Sequence, residues 1–455
     1  MSEAFTRRKF LITSAATASS AWLLAACGGG GDEPGAAQGS ASAASQADID
    51  KAMDTETTLT FWTWVPDIQN EVDLFEKKYP KVKVKLVNIG QGGAHYQKMR
   101  AAIQSGQGAP DVAQVEYQYI PSFTLGGDLL DIGPLGGTEI KGQFPDWVWS
   151  QVSRGESVYG VPQDVGPMGL LYREDLFKEA GIEVPKTWDE FAIAAEKYHA
   201  ANPKSYLANL APNDPGHFVS YLWQIGARPF AFDGEKTVTV NLASEEAKQV
   251  AQFWSDMVAT DVVSVDADFN DSWYQGFSNG KYAAWPAAAW GPVFLQGTAK
   301  KTSGKWRAAD LPQWDASKPA SGNWGGSTDA VLKLTKFPIA AAQLALFINT
   351  DKESALRLAT EQFLFPPSTT VLEDPTFANQ ESAFYGGQKV NEKFTQISAT
   401  VTPDFAWVPF MDFVYSNFED TLGKAIADKT DLVAGLQKWQ DGVAGYAKAQ
   451  GFTVS

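Results

Sequence analysis

The 455-residue chain has few residues that hold metals or form covalent cross-links: one cysteine and three histidines. Because Cys27 is the single cysteine, no intramolecular disulfide and no zinc–thiolate or iron–sulfur site is available. The histidines His95, His199 and His217 form no pair at metal-ligand spacing. No Gly-x-Gly-x-x-Gly motif follows a strand pattern either. The sequence therefore predicts neither a metal site nor a cofactor.

Basic residues are also in deficit, with 37 against 53 acidic residues and a formal net charge of −16 at pH 7. An acidic surface repels phosphate backbones and anionic lipids, so nucleic acid is not an expected partner. After the first 26 residues, no apolar run approaches the roughly 20 residues that a membrane-spanning helix needs. Hydrophobic residues make up 44% of the chain, which is enough for two lobes with their own cores.

The N-terminal 27 residues have the pattern of an export signal. Arg7 and Arg8 precede a Phe-Leu pair, as in a twin-arginine signal, and a short apolar stretch follows. The stretch ends in Leu-Ala-Ala-Cys at Cys27, which resembles the lipobox of bacterial lipoproteins. This resemblance implies that residues 1–26 are a signal peptide and that Cys27 is acylated, because two or more acyl chains anchor a protein stably. We expect an extracytoplasmic, lipid-anchored protein, either periplasmic or at the cell surface.

Residues 27–56 are rich in Gly, Ala, Ser and Gln, so they are predicted to form a flexible tether. The folded part is expected to begin at Thr57, where apolar residues alternate at the period of a strand. Strand and helix patterns then alternate up to a third strand at 111–117. This order predicts an α/β lobe with a mainly parallel sheet.

The middle and end of the chain have helical patterns. Thr187 and Glu190 are predicted to form a capping box, and Ser244 is the predicted start of another helix. Longer helical segments are predicted at 339–362 and 418–446.

The ends of the predicted strands indicate a binding site, because ligands of open parallel sheets bind beyond the carboxyl ends of the strands. Trp64 follows the first strand, and Glu116 and Tyr117 end the third. An indole ring stacks on the apolar face of a sugar ring, and a carboxylate accepts hydrogen bonds from the sugar hydroxyls. This combination favours a carbohydrate.

Four ordered groups of segments resemble the extracellular solute-binding protein family 1, the sugar receptors of ABC importers. They are 108–112; 158–164 with 169–177 and 185–188; 277–284 with 290–292; and 324–327. The resemblance implies a two-lobe α/β fold of the periplasmic-binding-protein type (type II), with mainly parallel sheets flanked by helices and hinge crossovers between the lobes. The expected boundaries are 57–165 and 326–368 for the first lobe, and 166–325 and 369–455 for the second.

The same resemblance implies further ligand contacts at the crossovers and on the second lobe. These are Gln163 and Asp164 in the first crossover, Trp324 and Gly326 in the second, Trp290, Trp407 and Tyr415 as aromatic walls, and, by a looser match, His217 and Trp223. The expected function is that of a monomeric receptor that closes on a mono- or oligosaccharide and delivers it to the permease subunits, without catalysis. No metal is part of the expected site.

Three other functions agree with parts of the sequence. A glycoside hydrolase would use Glu116 and Asp164 as its two carboxylates. A receptor for a non-sugar solute, such as ferric ion held by Tyr117 and Tyr119, would use the same cleft. The twin-arginine pattern also occurs in cofactor-bearing oxidoreductases, but the cofactor ligands are missing from this sequence.

Overall fold

The computed structural model describes residues 43–455. The predicted signal peptide, Cys27 and the first part of the predicted tether lie outside the described residues. The strands are β1 (Thr57–Trp62), β2 (Val82–Val87), β3 (Val112–Glu116), β4 (Ser153–Arg154), β5 (Ser157–Val158), β6 (Val161–Arg173), β7 (Phe230–Phe232), β8 (Thr237–Val240), β9 (Ala284–Ala288), β10 (Trp306–Asp310), β11 (Asn323–Val331) and β12 (Thr453–Val454).

The α-helices surround these strands. They are α1 (Gln46–Met53), α2 (Gln69–Lys78), α3 (Gly93–Ser105), α4 (Ile120–Leu125), α5 (Asp146–Val152), α6 (Glu174–Ala180), α7 (Trp188–Ala201), α8 (Pro215–Gln224), α9 (Glu245–Ala259), α10 (Asp271–Asn279), α11 (Gly291–Thr298), α12 (Pro338–Thr350), α13 (Lys352–Thr360), α14 (Thr369–Leu372), α15 (Pro375–Ala378), α16 (Val390–Ser398), α17 (Met411–Asp420), α18 (Leu422–Ala427) and α19 (Leu432–Ala449). A 3-10 turn, Tyr117–Tyr119, directly follows β3.

The largest sheet has seven strands in the order β10-β6-β11-β3-β1-β2, with β9 also paired to β6. Strand β6 is 13 residues long and belongs to both ends of the sheet. Its first half pairs with β11, which continues to β3, whereas its second half lies between β9 and β10. Strand β6 therefore runs through both ends of the sheet.

The expectation of mainly parallel sheets is wrong for this sheet. Only β2, β1 and β3 run parallel, as the alternating strand and helix patterns of the first lobe predict. The ladders made by β6 and β11 are antiparallel. The reason is that these strands are successive crossings of the chain in opposite directions, a connection that the local pattern of a single strand does not reveal.

The predicted lobes meet at three places in the chain, near residues 165, 326 and 368, and these three crossovers lie side by side. In the ladder between β6 and β11, Val165 is the partner of Gly326. The backbone N–H of Val165 also donates to the carbonyl oxygen of Phe365 at 3.1 Å. The three passages of the chain are thus hydrogen-bonded neighbours, which is the arrangement that a common hinge requires.

The folded part begins earlier than Thr57, so the predicted tether is too long at its C-terminal end. Ser45 caps α1 through a complete capping box with Asp48. Met53 is buried in the core, and the helix contacts α12. The capping box and one buried apolar side chain are enough to order a segment whose composition predicts flexibility.

Several predicted helices agree with the structure, with local differences. Thr187 accepts from Glu190 N as predicted, but the Glu190 carboxylate accepts from Lys186 N instead of completing the box. Ser244 caps α9. The predicted helix at 339–362 is two helices, because Asp351 ends α12 and caps α13. Likewise, the helical region at 418–446 is divided among α17, α18 and α19.

In residues 43–455, every helix is too short or too polar to span a bilayer.

Candidate functional site

Glu116 ends β3 and is half-buried at the edge of the sheet. Its carboxylate accepts from the Tyr96 hydroxyl at 3.0 Å and from the Gln118 side-chain amide at 3.1 Å. Burial raises its pKa to about 7 against the effect of these two donors, and the nearby Asp164 and Asp214 raise it further by repulsion. Asp164 and Asp214 are therefore near enough to Glu116 to influence its charge.

Asp164, on β6, lies at the crossing between the halves of the molecule. Its carboxylate accepts from the Ser327 hydroxyl of β11, and burial raises its pKa. Its backbone carbonyl accepts from the Tyr117 hydroxyl at 3.0 Å. Tyr117 therefore supports strand β6 through this hydrogen bond. It does not form an exposed wall of the cleft.

Gly326 is required at this crossing by the space around it. Its φ is +98°, and a Cβ added there would lie 2.7 Å from the Tyr117 ring and 2.8 Å from the Asp164 carbonyl oxygen. A side chain would therefore collide with both neighbours. Gly326 permits the close approach of β6 and β11 and has no side chain of its own to contact a ligand.

Trp290 and Trp324 form an aromatic wall with Phe269. The Trp290 and Trp324 ring centroids are 4.7 Å apart, and the Trp290 indole donates to the Trp324 carbonyl oxygen at 2.9 Å. Phe269 lies 5.8 Å from Trp324 and 6.0 Å from Trp290, and it remains 43% exposed. Trp290 is partly exposed and Trp324 only 6% exposed, so the wall presents mainly the Phe269 ring to solvent.

His217 supports this wall from the protein side. Its ring stacks on Trp324 at a centroid distance of 4.3 Å, and its Nε2 lies 3.0 Å from the Pro286 carbonyl oxygen. Burial lowers its pKa to about 3, so the imidazole is neutral at physiological pH. Only 3% of His217 is exposed, which leaves it little surface for a ligand.

A pair of carboxyl groups, Asp214 and Asp268, adjoins the aromatic wall. Asp214 caps α8 by accepting from His217 N at 2.8 Å, and the backbone N–H of Asp268 donates to the side chain of the adjacent Asn213 at 3.0 Å. Burial raises the pKa of Asp268 to about 6, and burial and repulsion by Asp268 raise that of Asp214 well above its ordinary value. A Cβ added at Gly216 would lie 3.1 Å from Trp324 Nε1 and 3.2 Å from Asp214 Oδ1. The Trp324 ring and the Asp214 carboxyl group therefore both lie close to Gly216.

Tyr415 and Trp64 complete the group of predicted residues that lie together. Tyr415 comes from α17, and its pKa is raised by burial and then by Tyr119, Glu116 and Asp214. Trp64 follows β1, and its ring centroid is 5.0 Å from that of His95, which also contacts Tyr96. Side-chain contacts through His95 and Tyr96 therefore connect Trp64 to Glu116.

Three predicted residues lie elsewhere. Gln163 points to the other face of β6 and donates to Asp329 at 2.8 Å, because successive residues of a strand face opposite sides. Trp223 is fully buried and stacks on Phe405 at 4.1 Å. Trp407 donates to Gln151 at 2.7 Å and borders a crevice of about 210 Å³. The position of Gln163 and the burial of Trp223 contradict the prediction that they contact a ligand in the cleft.

Sequence reasoning missed Asp214, Asp268 and Phe269. The Asp-Pro pair at 214–215 is a recognisable helix start, but this signal predicts only a cap. Asp268 and Phe269 lie on a loop without periodicity, and their position beside Trp324 depends on the tertiary fold. No local signal identifies them.

Residues 62–353 match the family model of the bacterial extracellular solute-binding protein. This chain belongs to that family. Its fold is accordingly the two-lobe α/β fold of periplasmic binding proteins, and the carboxylates and the aromatic wall lie where β6 and β11 join the two ends of the shared sheet.

Relatives and solved structures agree with this membership. The arabinooligosaccharide-binding protein of Bacillus subtilis is 26% identical over 331 residues, covering 70% of this chain and 74% of that protein. The ABC-transporter-associated binding protein of B. animalis subsp. lactis, solved with beta-1,6-galactobiose, is 31% identical, with 88% of this chain and 100% of that chain covered and a TM-score of 0.76. The galacto-N-biose/lacto-N-biose I-binding protein of Bifidobacterium longum, solved with lacto-N-biose, is 27% identical at 88% and 98% coverage, with a TM-score of 0.77.

Proposed function

We propose that this chain is the carbohydrate receptor of an ABC importer, binding a mono- or oligosaccharide in the inter-lobe cleft and delivering it to permease subunits. The observation that carries the proposal is the aromatic wall of Phe269, Trp290 and Trp324, of which the Phe269 ring is exposed, beside the carboxyl group of Asp214. Sugar rings have an apolar face that stacks on aromatic rings and a rim of hydroxyls that donate to carboxylates. The bound sugars of the related structures support the same class of ligand.

The contacts divide into stacking, orienting and supporting groups. Trp290, Trp324 and Phe269 stack on the sugar, with Trp64 on the opposite side. Glu116, Asp164 and Tyr415 accept or donate hydrogen bonds and fix its orientation. The residues that hold these side chains in place are Tyr117, His217 and Gly326.

Closure of the cleft follows bending at the three adjacent crossovers. The proposed lobes are 57–165 with 326–368, and 166–325 with 369–455. An ion pair between Arg100 of α3 and Asp412 of α17, at 2.9 Å, joins the two proposed lobes at the rim of the cleft. Because both side chains are partly exposed, this pair contributes little energy and can break when the lobes separate.

The remaining parts of the proposal concern the cell. Acylation of Cys27 anchors the receptor outside the cytoplasmic membrane, where a monomer meets its permease. The receptor has no catalysis of its own in this proposal, because the relatives are binding proteins.

Thermal unfolding of residues 43–455 with a panel of mono- and oligosaccharides tests the proposal, with amino acids, polyamines and ferric ion as controls. A ligand that binds only the folded state raises the midpoint, so a shift with one sugar class and no product by mass spectrometry is expected. Shifts confined to the controls would refute the carbohydrate ligand. Consumption of a sugar would replace the receptor with a glycoside hydrolase.

Trp290→Ala tests the stacking wall directly. Removing one stacking ring is expected to weaken binding of the sugar by on the order of 1–3 kcal/mol, measured by titration calorimetry. Trp314→Ala is the matched control, since Trp314 is half-buried in a separate aromatic cluster with Trp188 and Phe253. Equal affinities for Trp290→Ala and the unmodified protein would exclude Trp290 from the site.

A further inference from the structure

The carboxyl groups of the cleft lack cationic partners. Glu116, Asp164, Asp214 and Asp268 come from four different elements, and within residues 43–455 none of them forms an ion pair with Lys or Arg. Their hydrogen-bond donors are neutral: hydroxyls, a side-chain amide and backbone N–H groups. Each of these groups that ionises therefore adds negative charge that no protein cation compensates.

One of these groups has an unused oxygen. Asp268 is only 5% exposed, and its Oδ1 has no hydrogen-bond partner among the described residues. Asp268 adjoins Asp214, because its backbone N–H donates to the side chain of Asn213 at 3.0 Å, and burial together with repulsion by Asp268 raises the pKa of Asp214. A buried carboxylate oxygen without a donor is costly, so a ligand that brings a donor to it gains affinity.

The aromatic wall lies next to this pair. Phe269 follows Asp268 in the chain, and its ring contacts Trp290 and Trp324. The Trp324 indole and the Asp214 carboxylate both lie against Gly216. Carboxylates beside aromatic faces are the usual surroundings of organic cations, because both attract positive charge.

Resting on the proposed function, we propose that the cleft selects a carbohydrate that carries a protonated amine, with the ammonium group held between Asp214 and Asp268 and facing the aromatic wall. A neutral sugar satisfies the hydrogen bonds but leaves the negative charge uncompensated, and a uronic acid adds to it. A bound metal ion is the other way to compensate the charge, but no metal-holding group of acidic or histidine side chains occurs within residues 43–455.

Proton release accompanies this binding. The titratable groups that face the pair are Glu116 of β3, His217 and Tyr221 of α8, Tyr274 of α10 and Tyr415 of α17. Of these, His217 is neutral and the tyrosines are protonated, while Arg100 is paired at the rim with Asp412. An arriving ammonium group therefore favours ionisation of the carboxyl groups, and their protons go to the buffer.

Matched sugars that differ only in charge test the proposal. The ligands are gluco- and galacto-configured mono- and disaccharides, each in a neutral, an amine, an N-acetyl and a uronic form. Binding is measured by calorimetry at pH 6.5, in phosphate and in a zwitterionic buffer. The amine form is expected to bind about thirty-fold more tightly than its neutral parent, the effect expected of one buried charge pair. The heat should also depend on the buffer, because protons are released.

Two variants locate the effect. Asp268→Asn is expected to remove the preference for the amine and the buffer dependence, so that in this variant the amine form binds no more tightly than its neutral parent. Asp271→Asn is the matched control, since Asp271 is exposed on the next helix. If Asp268→Asn lowers the melting temperature strongly, Asp214→Asn is compared instead.

The outcomes separate the two proposals. Amine binding that equals or falls below that of the neutral parent, or that survives in Asp268→Asn, would overturn the selection of an amine and keep the carbohydrate receptor. Absence of binding by every sugar form, with a shift by a control solute, would overturn both.

Discussion

Phe269 gives the sharpest prediction for the aromatic wall, because its ring is the most exposed of the three. Its side chain is 43% exposed, and a buried phenylalanine ring covers about 200 Å². About 90 Å² of apolar surface is therefore available to a ligand, which corresponds to about 2 kcal/mol at 25 cal/mol per Å². Phe269→Ala should raise the dissociation constant of the bound sugar about thirty-fold.

Phe363 is an unusually close control for Phe269. Its φ is +58° against +54° for Phe269, and it is 46% exposed. Both residues occupy the left-handed region, so replacement by alanine keeps the same backbone cost at each position. Titration calorimetry with the sugar that gives the largest thermal shift should find weaker binding only for Phe269→Ala. Equal losses for the two variants, or none, would refute the assignment of Phe269 to the wall.

Two further predictions concern stability and are measured by chemical denaturation. Gly326→Ala should destabilise the fold by a few kcal/mol, because its Cβ would lie 2.8 Å from a backbone oxygen. Gly325→Ala is the control and should destabilise the fold less, since Gly325 has a φ of +75° but its nearest contact is at 3.5 Å. Equal losses of unfolding free energy in the two variants would contradict the clash. Glu71 is fully buried, and burial raises its pKa to about 7, so its contribution to stability is present below pH 4.5 and is lost as the pH rises to 7. Glu71→Gln should remove this loss, making the variant more stable than the unmodified protein by roughly 1–3 kcal/mol at pH 8; an unchanged pH profile would show that Glu71 is not the group responsible.

The sequence predicts the regular elements of the first half well, because their patterns are local. Strands β1 and β2 and helices α2 and α3 follow the two- and 3.6-residue periods closely. The third strand ends one residue early, at Glu116, because Tyr117 turns into a 3-10 helix. The early start of the fold at Ser45 depends on the packing of α1 against α12, which no local period reports.

The candidate site is predictable only where it coincides with strand ends or with the family resemblance. Glu116 and Trp64 follow from strand ends, and Asp164, Trp290 and Trp324 from the resemblance. Gln163 shows the limit of this transfer, since one residue of shift along β6 changes the face of the sheet. Asp268 and Phe269 are brought to the wall by a loop, so their place depends on contacts distant in the chain.

The same hinge strands that join the two ends of the sheet also carry polar groups of the cleft, and this links closure to the ligand. Asp164 and Ser327 are paired across β6 and β11, directly beside the Gly326 contact. Closing an empty cleft removes water from carboxyl groups that have only neutral donors, which disfavours closure. A ligand that brings its own donors, hydroxyl or ammonium, replaces that water. We therefore expect a bound solute to favour closure, because the hydrogen bonds that orient the ligand would also stabilise the closed state.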